Sequence, residues 1–275
     1  MPRDGAVLPR DLPGRDVYTF GDNPTAARRL ALLARLFGPS ARAFLGEWAP
    51  PSPRLVIDLG CGPGHTTRLL REELRPERIV GLDLSTGFLR LAVASSGPAT
   101  RYVRADVSRD PLPVRSADLL YGRYLLAHLA DPVRALRAWM GAVRRGGRVM
   151  VQETARLTSP VREFRRYYEL LARLQRHHGQ EPEIGARLGT LAASELPQAT
   201  RVLHVGLRSL RLPATAMARL HVMNLRTWRG EPFVQRTVDA AELDELEAWL
   251  GAAATGGVRL PPVEQDLGEL VLERG

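Results

Sequence analysis

The chain has 275 residues, a formal net charge of +9 and 44% hydrophobic residues, a composition typical of a globular protein with an ample core. All 39 basic residues are arginines, so the positive charge reflects a compositional bias and is weak evidence for nucleic-acid binding. The single cysteine, Cys61, excludes an intrachain disulfide and a cysteine-based zinc site. No apolar run approaches the ~18 residues of a membrane span, and no secretion signal is evident. We therefore expect a cytoplasmic protein with no membrane partner.

The N-terminal residues predict a polar arm followed by helices. Residues 1–16 are rich in proline, glycine and charge, and apolar residues recur at helical spacing between Pro24 and Trp48. The sequence Gly38-Pro39-Ser40 predicts a break between two short helices. We expect residues 1–51 to form an N-terminal arm and helices.

Residues 52–155 alternate short apolar runs with helical segments. The predicted strands are 55–57, 78–82, 102–103, 117–121 and 147–152, and the predicted helices between them are 66–74, 86–94 and 132–143. Strands that alternate with helices form a parallel sheet with helices on both faces. This region is therefore predicted to be a Rossmann-like core.

The alternation ends after Glu153. The predicted helices are then 161–178, 184–196, 213–228 and 240–251, and the predicted strands are 202–210 and 267–272. We expect an α/β fold, a Rossmann-like doubly wound seven-stranded sheet, with a helical lid inserted after strand five and between the last strands. Residues 156–275 would hold this lid, the substrate region and the final strands.

A glycine turn follows the first predicted strand, in the sequence VIDLGCGPGHTTRLL from residue 56 to residue 70. Glycines allow a tight turn and close approach to a ligand, and the following helix N-terminus adds free N–H groups. Dinucleotides and S-adenosylmethionine both fit such a site. The spacing G-x-G-x-G of Gly60, Gly62 and Gly64 differs from the dinucleotide pattern G-x-G-x-x-G. Asp58 would repel a pyrophosphate but attract an amino acid's ammonium group.

Two further acids end the next two predicted strands. Asp83 is placed to accept hydrogen bonds from ribose hydroxyls, and Asp106 is placed to accept one from an adenine amino group. Carboxyl ends of parallel strands meet at one edge of a sheet, so these acids and Asp58 should lie together. They form the acceptor set that an adenosyl amino acid needs.

With these motifs, residues 52–155 resemble the class I S-adenosylmethionine-dependent methyltransferases. The sequence DLGCGPG carries the most specific part of the resemblance, and GLDLS, ADV and GGRVMV follow in the family's order. The resemblance implies S-adenosylmethionine as cofactor and S-adenosylhomocysteine as product.

The same resemblance implies roles for particular residues. Asp58, Gly60, Cys61 and Gly62 would contact the methionine moiety, and Asp83 the ribose. The adenine would contact Leu84 on one face and Asp106 with Val107 at its edge, with Phe88 nearby. The backbone at Arg123 would pass the sulfonium, and Tyr18 would close over the cofactor as part of an N-terminal segment.

Methyl transfer needs a general base only if the acceptor must lose a proton. His128 follows the fourth strand, beside the expected methyl group, and is our candidate for a base or an acceptor-orienting residue. Packing within a helix is the alternative for His128. His204 and His221 could line a substrate pocket, and Tyr167, Tyr168 and Trp228 could stack on a planar acceptor or belong to the core.

The sequence therefore predicts a methyltransferase that acts on a small molecule, most consistent with natural-product tailoring. One alternative is a protein that binds the cofactor without methylating, for a structural role or a rearrangement. Another is a nucleic-acid methyltransferase, which we consider less consistent because no RNA-binding module is appended. No metal site is predicted, and the oligomeric state, the acceptor atom and the pathway are not indicated.

Overall fold

The computed structural model describes residues 24–275, apart from residues 98, 194, 195, 198 and 258. The predicted contact Tyr18 lies outside these residues. The strands of the described part are β1 (Leu55–Leu59), β2 (Arg78–Asp83), β3 (Thr100–Arg104), β4 (Ala117–Arg123), β5 (Val143–Thr158), β6 (Thr200–Leu212) and β7 (Val263–Arg274). The helices are α1 (Pro24–Trp48), α2 (His65–Leu74), α3 (Thr86–Ala94), α4 (Pro132–Ala142), α5 (Arg162–His177), α6 (Leu188–Ala193), α7 (Ala214–Trp228), α8 (Pro232–Thr237) and α9 (Ala240–Thr255).

All seven strands form one sheet in the order β3-β2-β1-β4-β5-β7-β6. Strands β1 to β5 pair in parallel, whereas β7 runs antiparallel to both β5 and β6. The strand order reverses between β1 and β4, so the crevice at their carboxyl ends is a topological switch point, where ligands bind in open α/β sheets. The predicted α/β class and seven-stranded Rossmann-like sheet are confirmed.

Helices cover both faces of the sheet because buried strand residues alternate between them. Val56 packs on one face with the second half of α1 and with α2, in a cluster that includes Phe44 and Leu70. Ile57 packs on the other face with α4, including Trp139. The central strands are apolar on both sides, which is the pattern of a parallel sheet buried between helices.

The predicted break at Gly38-Pro39-Ser40 is wrong, because α1 continues through it. Proline in a helix interior removes one hydrogen bond and crowds the preceding turn. Here packing outweighs that cost, since Phe37 is buried against α7 and Phe44 against the sheet. The carbonyl of Phe37 also accepts hydrogen bonds from Ser40 Oγ at 2.8 Å and Arg123 Nη1 at 3.2 Å.

Helices α5, α7, α8 and α9 form a separate apolar cluster, which we call the helical cluster. The first half of α1 joins it through Leu32 and Phe37. The part of the predicted lid at 184–196 does not belong to this cluster. It is a 3-10 turn (Ile184–Arg187) followed by the short helix α6, and Ile184 and Leu188 pack into the core beside the sheet.

Candidate cofactor and acceptor site

A cavity of about 730 Å³ opens at the carboxyl ends of strands β1 to β5 and extends to the helical cluster. The glycine turn after β1 and the loops after β2, β3 and β4 line one end. Helices α1, α5 and α7 line the other end. Ligand cavities of this size hold drug-sized molecules, so the space suits a nucleoside-sized cofactor together with a compact second ligand.

The glycine turn is shaped by left-handed backbone conformations. Gly60, Gly62 and Gly64 have φ values of +63°, +51° and +85°. A Cβ atom at Gly60 would lie 2.8 Å from Leu125 Cδ1, so glycine is required there for space as well as for conformation. Gly60, Cys61 and Gly62 all line the cavity, as the resemblance implied. Burial raises the pKa of the Cys61 thiol, which keeps it protonated.

Asp58, predicted to contact the methionine moiety, belongs to β1 just before the glycine turn. Asp58 lies behind the glycine turn, is 1% exposed and does not line the cavity. Its Oδ2 accepts a hydrogen bond from Thr67 Oγ1 at 2.6 Å, which joins β1 to α2. Burial raises the pKa of Asp58 to about 7, against the lowering effects of Thr67 and of the Arg123 guanidinium. In this position Asp58 supports the turn and contributes charge from behind it.

Asp83 lies at the carboxyl end of β2 and lines the cavity. Its Oδ2 accepts a hydrogen bond from the Gly62 N–H at 2.7 Å, and its Oδ1 accepts one from the Ser85 N–H at 2.8 Å. Asp83 therefore holds the glycine turn in the part of the cavity where the ribose is predicted to bind.

The predicted adenine contacts Leu84, Phe88, Asp106 and Val107 all line the same end of the cavity. Asp106 Oδ1 accepts hydrogen bonds from the Ser108 N–H and Oγ, and its Oδ2 accepts one from the neighbouring arginine. Although burial opposes it, these hydrogen bonds hold the pKa of Asp106 below its ordinary value. The carboxylate is therefore charged at neutral pH and is an acceptor for an amino group.

Arg123 lines the cavity at the end of β4. Its side chain is buried, its Nη1 donates to the Phe37 carbonyl, and its guanidinium carbon lies 5.6 Å from the centre of the Tyr124 ring. The predicted passage of the Arg123 backbone past the sulfonium stays a prediction, and the cationic side chain would suit an anionic group.

Glu153, at the carboxyl side of β5, is a cavity residue that the sequence reasoning missed. It is 1% exposed, and its Oε1 accepts hydrogen bonds from the N–H groups of Leu125 at 2.6 Å and Leu126 at 2.7 Å. Burial raises the pKa of Glu153 to about 7, against the lowering effect of these N–H groups. Glu153 fixes the loop after β4. Its place directly after the predicted strand 147–152 was the signal that could have found it.

His128 ends the 3-10 turn Leu126–His128 after β4 and lines the cavity beside Glu153. Burial lowers the pKa of His128 to about 4, against the raising effect of a hydrogen bond with the Gln180 side chain. The imidazole is therefore neutral at physiological pH, with the lone pair that a general base requires.

The helical cluster contributes polar residues to the other end of the cavity, and only Tyr168 and His221 among them were candidates from the sequence. The polar residues are Arg29 from α1, Tyr168 and Gln175 from α5, and His221 and Asn224 from α7. Asn224 joins α1 and α5 to α7, because its Oδ1 accepts from Arg29 Nη1 at 3.4 Å and its Nδ2 donates to Tyr167 Oη at 2.9 Å.

The other residues predicted for the substrate pocket pack within the protein and do not line the cavity. His204 stacks on Trp48 with ring centres 4.6 Å apart and does not line the cavity. Tyr167 and Trp228 are fully buried in the helical cluster.

Among the described residues, no three His, Cys, Asp or Glu side chains are grouped so that they could hold a metal ion. In the same part of the chain, no helix has both the length and the apolar surface to span a bilayer.

Comparison with known proteins agrees with this geometry. Residues 57–151 match the family model of the methyltransferase domain. This part of the chain is therefore similar to a methyltransferase domain, the kind of protein that its motifs resemble. The match covers β1 to β5 and the glycine turn, so it includes the motifs on which the resemblance was based.

Among curated relatives, trans-aconitate 2-methyltransferase of Methylobacterium radiotolerans is 32% identical over 140 residues, which are 51% of this chain and 53% of that protein. The protein of the same name from Streptomyces avermitilis is 34% identical over 40% of this chain and 43% of its own length. The chain thus spans about half the length of the curated relatives it matches.

The fold is similar to those of solved methyltransferases. Phosphoethanolamine N-methyltransferase 2 of Haemonchus contortus gives a TM-score of 0.54 at 15% identity, over 93% of this chain and 58% of that one. A geranyl diphosphate methyltransferase gives a TM-score of 0.52 at 13% identity, over 94% of this chain and 87% of that one. At these identities the likeness concerns the fold alone, and it extends over the helical cluster as well as the sheet.

Proposed function

We propose that this protein transfers a methyl group from S-adenosylmethionine to a small molecule. The observation that carries the proposal is the single cavity that joins the glycine turn and the strand-end acids to a partly apolar end at the helical cluster. Such a cavity has room to bring an activated methyl group and an acceptor together, and proximity alone supplies much of the rate of a displacement reaction.

The residues at the sheet end fit the cofactor. Asp83 would accept the ribose hydroxyls, while Asp106 and Val107 would meet the adenine edge and Leu84 and Phe88 would meet its faces. Bound S-adenosylmethionine supplies a methyl group already activated on a sulfonium. The Arg123 backbone would pass the sulfonium, and its side chain would face the methionine carboxylate.

The acceptor end favours a compact molecule with an apolar body and a few polar groups. The curated relatives are named for trans-aconitate, a small acid, and the buried guanidinium of Arg29 would suit an acidic acceptor. Natural-product tailoring remains the use we propose for the reaction, from the arginine-only composition. His128 would orient the acceptor or accept its proton.

The proposal is tested in two steps with the full chain. Calorimetry first measures the affinity for S-adenosylmethionine, S-adenosylhomocysteine and NAD. The protein is then incubated with S-adenosylmethionine and a panel of small metabolites that includes trans-aconitate, and S-adenosylhomocysteine and methylated products are followed by mass spectrometry. The Asp83→Ala variant serves as the control for turnover that does not use the site.

We expect micromolar binding of S-adenosylmethionine, no comparable binding of NAD, and acceptor-dependent formation of S-adenosylhomocysteine. Cofactor binding with no turnover on any acceptor would favour the non-methylating alternative. Turnover on RNA with steep salt dependence would favour a nucleic-acid substrate. Failure to bind S-adenosylmethionine would overturn the proposal.

A further inference from the structure

A pair of polar side chains stands in the largely apolar wall at the acceptor end of the cavity. Tyr168 from α5 and His221 from α7 both line the cavity, and Tyr168 Oη lies 3.2 Å from His221 Nε2. Leucine and methionine side chains of the same two helices line the cavity around them. A ligand at this end therefore meets the phenol–imidazole pair as a localised hydrogen-bonding group.

The surrounding packing holds His221 in one orientation. The residue is 3% exposed, its ring stacks on Tyr167 with centres 4.3 Å apart, and the edge of Phe164 packs against it. Among the described residues, its buried Nδ1 has no hydrogen-bond partner. Buried polar atoms without partners are uncommon because they cost free energy. An apolar side chain would pack at this position without that cost. The contact of Nε2 with Tyr168 is therefore a better explanation for a histidine here than packing is.

The pair is uncharged at neutral pH. Burial lowers the pKa of His221 to about 3 and raises the pKa of the Tyr168 phenol. If Nε2 carries the imidazole proton, it donates to Tyr168 Oη, and the phenol O–H is directed to a ligand oxygen. If Nδ1 carries it, the phenol donates to Nε2, and Oη accepts from a ligand O–H. Both arrangements suit an oxygen-bearing group.

We propose that Tyr168, oriented by His221, binds the methyl acceptor through a hydroxyl or carboxyl oxygen and is a specificity-determining residue. The inference rests on the proposed methyl transfer, since it assigns this end of the cavity to the acceptor. The acceptor class is then a compact molecule with an apolar body and an oxygen substituent. Tyr168 acts by positioning this group, because a neutral phenol paired with a weakly basic imidazole is a poor proton acceptor.

The test uses two probes of nearly the same shape, 4-fluorophenol and 4-fluorotoluene. The first has a hydroxyl where the second has a methyl group. Their affinities for the full chain are measured by fluorine NMR titration, with and without S-adenosylhomocysteine. Tyr168→Phe removes only the hydroxyl of the proposed contact. Tyr121→Phe is the matched control, because Tyr121 is buried outside the cavity and its hydroxyl has no hydrogen-bond partner in the described structure.

We expect the wild-type protein to bind 4-fluorophenol about fivefold more tightly than 4-fluorotoluene, the range of one net hydrogen bond. The ratio should fall to about one in Tyr168→Phe and stay unchanged in Tyr121→Phe. A ratio near one in the wild type, an unchanged ratio in Tyr168→Phe, or no binding of 4-fluorophenol would overturn the inference.

The same samples separate this inference from the proposed function. Thermal unfolding shows whether each variant is folded, and calorimetry with S-adenosylmethionine reports on the other end of the cavity. A wild-type protein that discriminates between the probes but does not bind S-adenosylmethionine would sustain the polar contact and overturn methyl transfer. Cofactor binding with acceptor-dependent turnover but without probe discrimination would sustain methyl transfer and overturn the polar contact.

Discussion

Burial decides the protonation state of His128, and this changes the expected pH dependence of a reaction that uses it. An unperturbed histidine would lose its basic form below about pH 6.5. Burial lowers the pKa of His128 to about 4, so the ring stays neutral well below that pH. A general base at this position therefore predicts a rate that is flat from pH 5.5 to 8 and falls as the pH approaches 4.

The His128→Ala variant distinguishes catalysis by His128 from packing. As a general base, His128 should contribute about 10²- to 10⁴-fold to the rate with an acceptor found in the metabolite screen, while the affinity for S-adenosylmethionine stays unchanged. The measurement is initial rate against pH for both proteins. A variant that turns over normally but unfolds at a lower temperature would identify a packing residue instead.

Asp83 has two roles at one carboxylate, since it holds the Gly62 and Ser85 N–H groups and would also hold the ribose. We expect Asp83→Ala to weaken S-adenosylmethionine binding at least 100-fold, because charge-assisted hydrogen bonds contribute about 1.5–3 kcal/mol each. Calorimetry measures this. Asp131→Ala is the control, because Asp131 caps α4 through the Arg134 N–H and does not line the cavity. An Asp83→Ala affinity within twofold of the wild type would contradict the assignment.

At the scale of an element, the glycine turn depends on a conformation that side chains disfavour. Gly60→Ala places a Cβ atom at φ +63° and 2.8 Å from Leu125 Cδ1. We expect a loss of about 1–3 kcal/mol in the free energy of unfolding and weaker cofactor binding, because the turn must shift. Gly46→Ala in α1 is the control, since a Cβ atom there meets nothing within 4 Å. It should raise stability by about 0.5–1 kcal/mol. Urea unfolding measures the free energy of unfolding of both variants. Equal changes in the two would contradict backbone strain at Gly60→Ala.

The elements between residues 52 and 155 were predictable because local pattern and tertiary structure agree there. The strand-end acids follow the same logic, since parallel strands bring Asp83 and Asp106 to one edge. Tertiary packing determines the features that the sequence did not predict. Helix α1 is continuous because its two halves bury Phe37 and Phe44 in different clusters, and Tyr168 meets His221 only because α5 packs against α7. No spacing in the sequence encodes these contacts.

At the scale of the whole molecule, a buried carboxylic acid ties folding stability to pH. The pKa of Glu153 is about 7 in the folded protein and about 4.5 when unfolded, so between these values only the folded state holds the proton. The stability contributed by Glu153 is fully present below pH 4.5 and is lost as the pH rises through 7. Its contribution falls by about 1.4 kcal/mol per pH unit in that window.

Glu153→Gln removes this titration while keeping an oxygen for the Leu125 and Leu126 N–H groups. As the pH rises from 5 to 6.5, the wild type should lose stability relative to the variant. The difference in the free energy of unfolding should grow by about 1.4 kcal/mol per pH unit. Urea unfolding at several pH values measures the slopes. Parallel curves for the two proteins would contradict the raised pKa.

The antiparallel strand β7 lies between β5 and β6, although β6 precedes it in the chain. During synthesis, β6 leaves the ribosome before β7, its pairing partner in the described sheet, and α7, α8 and α9 are made in between. Its apolar residues, including Leu207, which is 64% exposed even in the finished sheet, have no neighbouring strand until β7 arrives. Unpaired apolar strands associate with other chains. The antiparallel part of the sheet is therefore the part most open to pairing with another chain before synthesis is complete.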